Sequence, residues 1–227
     1  MSTPSPLRAP RRDAAENRES LLAAARVVFN HDPSASLEAV AAQAGLSRRS
    51  VYGHFANREE LLLELVTTGA RRVATALESV THPDPLVRLA LIASNLWREV
   101  ESVRAMALVA VRGPLAAHTA ATLGAIRANV RAAIAEGQAD DSMRTDLAVE
   151  RLARLVEDTA LVVLEDSTEH PLGAQEGDRL AMLMTLAVVG LGWREAGTFI
   201  DGRPELAWPA ATELETESDR ETETVPE

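Results

Sequence analysis

Apolar residues recur every three or four positions along most of the chain, which is the period of amphipathic helices. In the first part of the chain this pattern predicts helices over about 14–30, 37–44 and 48–54, and from Asn57 to about 79. Further helices follow, and their predicted positions are near Leu86–Val100, around Met106–Ala110, about 116–136, around Leu152–Val163 and around Leu180–Leu191. No segment of useful length alternates with the period of a strand. The pattern therefore predicts an all-α fold.

Proline and charged residues divide the chain into four predicted zones. Residues 1–12 are Pro-rich and basic, and they are predicted to be a disordered arm. Residues 13–80 form a block of short helices, residues 81–204 carry the longer helices, and residues 205–227 are a Pro-, Glu- and Thr-rich tail that is predicted to be disordered. The boundary falls near His82-Pro83-Asp84-Pro85, because each proline pushes the residue before it out of the α region.

The composition excludes several kinds of chemistry. The chain has no Cys, which excludes disulfides, iron–sulfur clusters, Cys-ligated zinc and a Cys nucleophile. It also has no Lys, so a Walker A lysine is absent, and neither G-x-S-x-G nor H-E-x-x-H occurs. The five His lack ligand spacing. We therefore predict no cofactor, no metal and no enzymatic activity.

The longest uncharged apolar run, Leu180–Trp193, is shorter than the roughly 20 residues that span a bilayer. No apolar signal segment follows Met1. These two features predict a soluble, cytoplasmic protein without a membrane partner.

The charge is unevenly distributed along the chain. The net charge is −11, yet residues 1–80 hold ten Arg against nine acidic residues. An acidic chain as a whole therefore does not exclude a nucleic-acid partner, because binding depends on a local basic face.

The segment 36–55, SLEAVAAQAGLSRRSVYGHF, has the pattern of a helix-turn-helix unit. Such a unit needs apolar residues between its helices, a small residue where they cross, and a residue in the turn that tolerates a left-handed backbone. The residues that meet these needs are Val40, Ala41, Gly45, Leu46 and Val51. Ser36 and Ser47 are good N-cap residues for the two helices.

The second helix of this unit presents a polar and basic surface. Its outward residues are Arg48, Arg49, Ser50, Tyr52 and His54. Such a helix can enter the major groove, where Arg pairing with guanine is the commonest specific contact. The pattern alone also fits an ordinary helical hairpin with exposed arginines.

A longer stretch, residues 18–65, resembles the DNA-binding domain of the tetracycline-repressor (TetR) family. The matching residues are Arg18, Leu21-Leu22, Ala24-Ala25, Val28-Phe29, Ser36, Val40-Ala41, Ala44-Gly45-Leu46-Ser47, Val51-Tyr52, His54-Phe55, Asn57-Arg58-Glu59 and Leu61-Leu62. The resemblance implies an all-helical homodimer with an N-terminal helix-turn-helix domain and a C-terminal bundle for ligand binding and dimerisation. It also implies a repressor that leaves a palindromic DNA operator when a small molecule binds.

The resemblance implies a role for individual residues. Arg48, Arg49 and Ser50 stand where the family reads bases or nearby phosphates, and Tyr52 and His54 stand at backbone-contacting positions. Arg58 stands where the family usually has a phosphate-binding Lys, and Ser36 can donate to phosphate. Ser47 completes the set of DNA-binding candidates. Position 49 is often small in the family, so Arg49 adds charge and alters what can be read.

The C-terminal region carries no comparable motif. By residue type, the candidates for an apolar ligand pocket between the helices of 86–163 are Trp97, Met106, Met143 and Thr159. The last two predicted helices match the position of the family's dimer bundle. The interface candidates on the final one are Leu180, Leu183, Met184, Ala187, Val188 and Leu191.

Alternatives of different classes remain open at this point. The chain is predicted to be a ligand-responsive repressor. The same architecture also suits a regulator that a protein partner controls, or an activator. A helical interaction protein that has lost DNA binding would keep the fold but would not need the outward Arg48, Arg49 and Arg58.

Overall fold

The computed structural model describes residues 9–209, with side chains described for residues 14–209. The described residues form α1 (Ala9–His31), α2 (Leu37–Gln43), α3 (Arg48–His54), α4 (Arg58–Glu78), α5 (Pro85–Val100), α6 (Arg104–Arg112), α7 (Ala116–Thr119), α8 (Gly124–Ala139), α9 (Val149–Glu169), α10 (Ala174–Val188) and α11 (Trp193–Asp201). Two short 3₁₀ helices lie at Glu101–Val103 and Pro204–Leu206. No strand occurs between residues 9 and 209, so the predicted all-α fold is confirmed. No helix in that range is long and apolar enough to cross a bilayer.

The short helices begin where the sequence supplies a cap. The side chains of Ser36, Ser47 and Asn57 accept hydrogen bonds from backbone N–H groups in the first turns of α2, α3 and α4 at 3.2, 3.1 and 2.8 Å. Each of these bonds satisfies a donor that the helix itself cannot pair. As a result, α2, α3 and α4 begin within a residue of the predicted positions.

The first four helices enclose a core of their own. Its fully buried side chains include Leu21, Phe29, Val40, Val51, Phe55 and Leu61. Two residues of α6, Met106 and Ala110, are buried in the same core. The helix-turn-helix block is therefore packed directly against a helix from the second part of the chain.

The remaining helices form a second core, in which α5, α8, α9 and α10 pack against one another. A buried polar contact joins α5 to α10: the Asp178 carboxylate accepts hydrogen bonds from Ser94 Oγ at 2.6 Å and from Arg98 Nε at 3.2 Å. The Trp97 indole on α5 donates to the carbonyl of Ala174 at 3.0 Å. Because a buried carboxylate is costly unless it is paired, these bonds fix the register of the two helices.

The structure differs from the prediction at the ends of the chain. The first helix begins at Ala9 rather than near 14, so residues 9–12 of the predicted arm are helical. The predicted tail starts at residue 205, yet Leu206 is buried in the second core. Residues 1–8 and 210–227, which make up the rest of the predicted arm and tail, lie outside the described residues.

Two predicted helices of the second part also differ from the structure, which adds a helix that was not predicted. The helix predicted over about 116–136 is divided into α7 and α8, and α8 continues to Ala139. The helix predicted around Leu180–Leu191 begins earlier, at Ala174. It ends before Gly190, whose φ of +125° breaks the run, and the unpredicted α11 then begins after Gly192.

Candidate nucleic-acid interface and ligand cavity

The turn between α2 and α3 has the geometry that its glycine permits. Gly45 has a φ of +68°, in the left-handed region that a Cβ disfavours. Its N–H donates to Ala42, and the N–H of Leu46 donates back to Ala41 at 2.9 Å. These two bonds form a Schellman motif that ends α2 and turns the chain sharply into α3.

The start of α3 projects basic side chains from the surface. Arg48 and Arg49 are exposed, and Ser50 is half-buried beside them. Val51, in contrast, is fully buried and anchors the helix on the core. The exposed edge at the start of α3 can therefore meet a groove of duplex DNA without unpacking the domain.

Glu38, on α2, is a contact that the sequence interpretation missed. Its carboxylate accepts a hydrogen bond from the Tyr52 hydroxyl at 3.0 Å and lies 3.1 Å from the Arg48 guanidinium. The pKa of Glu38 is lowered, first by a hydrogen bond from its own backbone N–H, then by Tyr52 and the charge of Arg48. An ionised carboxylate thus stands within the predicted reading surface. The only signal in the sequence is an acidic residue in the first turn of α2.

Tyr52 contacts both Glu38 and Arg48. Its ring is about half exposed, and the Arg48 guanidinium lies 5.6 Å from the ring centroid. The ring thus lies on the surface, as the predicted outward orientation requires. Its hydroxyl is bonded to Glu38, so a phosphate contact would require exchange of that partner.

The guanidinium of Arg58 binds backbone carbonyl groups of the protein itself. Its Nε donates to the carbonyl of Ala35 at 2.9 Å, and its NH2 donates to the carbonyl of Pro33. It also lies 5.1 Å from the centroid of the Phe29 ring. In the structure Arg58 holds the loop between α1 and α2, and its role as a phosphate-binding cation stays a prediction. The guanidinium donates to backbone carbonyl groups of this loop, and a comparison of sequence motifs does not reveal such backbone contacts.

The other DNA-binding candidates lie around the same surface. Ser36 and Ser47 use their oxygen atoms as caps, and the Ser36 hydroxyl also interacts with the Glu38 carboxylate. His54, at the end of α3, is half-buried. No contact of any of these residues with DNA is tested, so their roles stay predictions.

A cavity of about 710 Å³ lies between helices of the second part of the chain and α4, with Arg26 of α1 also in its lining. Residues of α4, α5, α6, α8, α9 and α10 line it. Most of this lining is aliphatic, for example Leu89, Ile92, Val130 and Val163. Both its size and its chemistry are typical of small-molecule sites.

Two of the four predicted pocket residues line this cavity. They are Trp97 and Met106. Met143 is instead buried against Gly137, where an added Cβ would lie 2.6 Å from the Met143 side chain. Thr159 is half-buried on α9 and is not part of the lining. Met143 and Thr159 were predicted from residue type alone. Residue type does not show which residues of a helix bundle line its cavity.

The outward faces of α9 and α10 include exposed apolar side chains among charged ones. Leu155 and Val162 on α9 and Met184 on α10 are exposed, with Val162 at 54%. Of the interface candidates, Ala187 is also exposed, whereas Leu180, Leu183 and Val188 are half-buried and Leu191 is buried in the core. The inward side of α10 is supplied by Ala181, Met182, Thr185 and Leu186.

A comparison with protein families agrees with this geometry. The family described as "Bacterial regulatory proteins, tetR family" matches residues 21–65, which run from α1 into α4 and include the whole helix-turn-helix. Residues 21–65 therefore have the sequence pattern of a TetR-family DNA-binding domain.

Solved structures share the fold of this chain over most of its length. SmeT, the repressor of the multidrug efflux pump SmeDEF of Stenotrophomonas maltophilia, is 23% identical, with a TM-score of 0.61, over 87% of this chain and 99% of that one. PfmR from Thermus thermophilus is 20% identical, with a TM-score of 0.61, over 74% and 96%. FadR from Bacillus subtilis, determined in complex with stearoyl-CoA, is 16% identical, with a TM-score of 0.61, over 76% and 97%. No curated protein matches the sequence.

The family match indicates what is general among proteins with this N-terminal domain. TetR-family proteins are DNA-binding regulators, generally repressors, with a ligand-binding C-terminal domain, and they are usually dimers. The structural neighbours are likewise transcriptional regulators rather than enzymes. The N-terminal helix-turn-helix and the C-terminal helical part therefore have the arrangement that the resemblance implied.

Proposed function

We propose that this regulator is a homodimeric repressor that binds a pseudo-palindromic double-stranded DNA operator and leaves it when a small molecule enters the cavity. In this proposal residues 13–80 read DNA, and residues 81–204 bind the effector and dimerise. Arg48, Arg49 and Ser50 face the bases, while Tyr52, His54 and the Ser36 and Ser47 hydroxyls face phosphates. Arg58 positions the loop that precedes α2.

One observation supports this mechanism above the others: α6 belongs to both the DNA-binding block and the cavity. Met106 and Ala110 are buried in the N-terminal core and also line the cavity. A ligand that displaces α6 must therefore disturb the packing of the domain that carries α3. Packed interfaces of this kind have discrete alternative arrangements, and a ligand that prefers one of them shifts the population.

The proposed dimer buries the exposed apolar side chains on the outer face of α9 and α10. Burial of exposed aliphatic side chains such as Leu155 and Val162 lowers the free energy of the dimer relative to the separate chains. A two-fold dimer also fits DNA whose half-sites are related by the same symmetry. The ligand-bound FadR structure supports a small-molecule effector, because this chain shares its fold and has an apolar cavity in its C-terminal part.

Light scattering of the free protein and of its DNA complex tests the proposal, followed by a screen for small molecules that raise the melting temperature. We expect two chains per operator duplex, and we expect stabilising compounds to release the DNA. One chain per duplex would overturn the dimer. Compounds that stabilise the wild type but not a cavity-narrowed Ala93→Leu variant, and yet leave the DNA complex intact, would overturn release by the effector.

A further inference from the structure

The charged residues of the cavity lining are segregated from its interior. The deep lining consists of buried aliphatic side chains, and its buried polar residue is Thr185. Every charged lining residue is exposed or half-buried, which places the charges at the rim. A ligand therefore meets an apolar interior that would penalise a charged group and a rim where a charged group keeps contact with water.

The rim is cationic in a protein that is acidic overall. Five arginines and two glutamates contribute to the lining, whereas the whole chain has a net charge of −11. Arg127 forms a bidentate pair with Glu157, and Arg72 pairs with Glu99 at 3.1 Å. Arg131 and Arg154 have no ion-pair or hydrogen-bond partner among the described residues.

Arg131 and Arg154 stand on neighbouring helices, whereas Arg26, which also lacks a partner among the described residues, lies on α1. The Arg127–Glu157 pair joins α8 to α9, which follow each other through a short connection and are therefore expected to run antiparallel. Arg131 lies one turn after Arg127, and Arg154 lies one turn before Glu157. In antiparallel helices those two steps lead in the same direction. Two cations are thus brought to the same stretch of rim, one turn beyond a completed ion pair.

We propose that the effector of this regulator is an amphipathic anion, with an apolar body in the cavity and a carboxylate or phosphate held at the rim by Arg131 and Arg154. This inference rests on the proposed function, since it names the ligand class of the same cavity. Arginine binds such groups through paired hydrogen bonds. A neutral apolar molecule would fill the interior but leave both cations unused.

Calorimetric titration of the full-length protein distinguishes these ligand classes. The probes are alkyl carboxylates from octanoate to hexadecanoate, together with hexadecanol, hexadecyltrimethylammonium and hexadecanoyl-coenzyme A, all below their micellar concentrations. We expect affinity to rise about fourfold per added methylene until the cavity is full. The anions should bind at least about tenfold more tightly than the alcohol. Equal binding of hexadecanol and the anions would overturn the proposal.

The two sources of the anion give different results in the same series. If the ligand is a free carboxylic acid, hexadecanoate binds and the bulky thioester binds more weakly. If it is the thioester with its phosphates, hexadecanoyl-coenzyme A binds most tightly. Both outcomes support an amphipathic anion and identify its head group.

Substitution of the two arginines tests the assigned residues. An Arg131→Gln/Arg154→Gln double variant should lose about tenfold or more in affinity for the anion, with hexadecanol unchanged. Arg151→Gln is the matched control, because Arg151 is exposed on α9 and does not line the cavity. Equal affinity of the double variant and the wild type for the anion would overturn the assignment.

The experiments distinguish a wrong assignment of the ligand class from a wrong assignment of ligand-induced DNA release. An anion that binds in the calorimeter but does not dissociate the DNA complex supports the ligand class and contradicts release. A neutral or cationic compound that binds in the cavity and dissociates DNA supports release and contradicts the ligand class.

Discussion

The side-chain carbonyl of Asn30, near the end of α1, accepts a hydrogen bond from the backbone N–H of Ala105 in the first turn of α6 at 3.1 Å. The amide nitrogen of the same side chain donates to the carbonyl of Ser102 at 3.1 Å. One asparagine thus clamps the DNA-binding block to the start of the helix that lines the cavity. Under the proposed mechanism, this clamp carries part of the coupling between ligand and DNA.

Loss of the two Asn30 hydrogen bonds should destabilise the start of α6. Asn30→Ala should lower the free energy of unfolding by about 1–2 kcal/mol, because it removes two hydrogen bonds. Hydrogen exchange at the Ala105 amide should accelerate. The matched control is Asn95→Ala, since Asn95 is half-buried on α5 without a hydrogen-bond partner among the described residues. Unchanged exchange at Ala105 would show that the clamp is not formed in solution.

The role of Arg58 can be separated from that of a phosphate contact. Arg58→Lys should destabilise the protein by about 1–3 kcal/mol, because lysine cannot reproduce the two-pronged contact with Pro33 and Ala35. In an Arg58→Ala variant, which removes the charge, the salt dependence of DNA binding should stay as in the wild type. A direct phosphate contact would instead contribute about 0.9 to the slope of the logarithm of affinity against the logarithm of salt. A slope reduced by that amount in Arg58→Ala would support the phosphate role.

Glu38 should weaken non-specific DNA binding. Its carboxylate is ionised at neutral pH, since its pKa is lowered, and it competes with phosphate for Arg48. Glu38→Gln should therefore tighten binding to random DNA, whereas Glu169→Gln, on the exposed end of α9, should not.

Arg48→Ala should cost about 1–3 kcal/mol of binding free energy on the preferred operator and less on random DNA. Equal losses on both DNAs would show that Arg48 contacts only the backbone.

The close approach of α5 and α10 depends on Gly177. A Cβ at this position would lie 1.9 Å from a carbon of the Trp97 ring, which is held by its bond to Ala174. Gly177→Ala should therefore destabilise the protein by about 1–3 kcal/mol. Gly197→Ala on α11, where the nearest contact would be 3.8 Å away, should not destabilise it. Chemical denaturation of the two variants measures the difference.

The proposed dimer face makes a prediction about mass in solution. Val162→Glu with Met184→Glu places two charges on the outer face of α9 and α10, so light scattering should give a mass near the 24.4 kDa of one chain. Val27→Glu is the control, because Val27 is 60% exposed on α1. A dimer that persists in the double variant would place the interface elsewhere.

The sequence predicted the helix-turn-helix almost residue by residue because its signals are local. Ser36, Gly45 and Ser47 act on backbone groups within a few positions, and Val40 and Val51 are buried by the helices that they define. The second part of the chain was harder to predict. Its cavity is formed by common aliphatic residues from six helices, and its lining depends on how those helices pack.

Contacts between distant residues account for the remaining differences. The carbonyls that hold Arg58 are 23 and 25 positions away in sequence. Glu38 and Tyr52 meet only because α2 and α3 cross. Leu206 is buried by α5, although the residues after it are rich in acids. A periodicity pattern contains none of this information.

Selection from a pool of random DNA duplexes at physiological salt tests the central claim most directly. Each enriched duplex would be titrated against competitor DNA. A dimeric reader should enrich an inverted repeat whose half-sites lie about one helical turn or a multiple apart. It should bind this site at least about a thousandfold more tightly than random DNA. A pool in which no sequence is enriched, or in which the enriched site has no two-fold symmetry, would contradict the account.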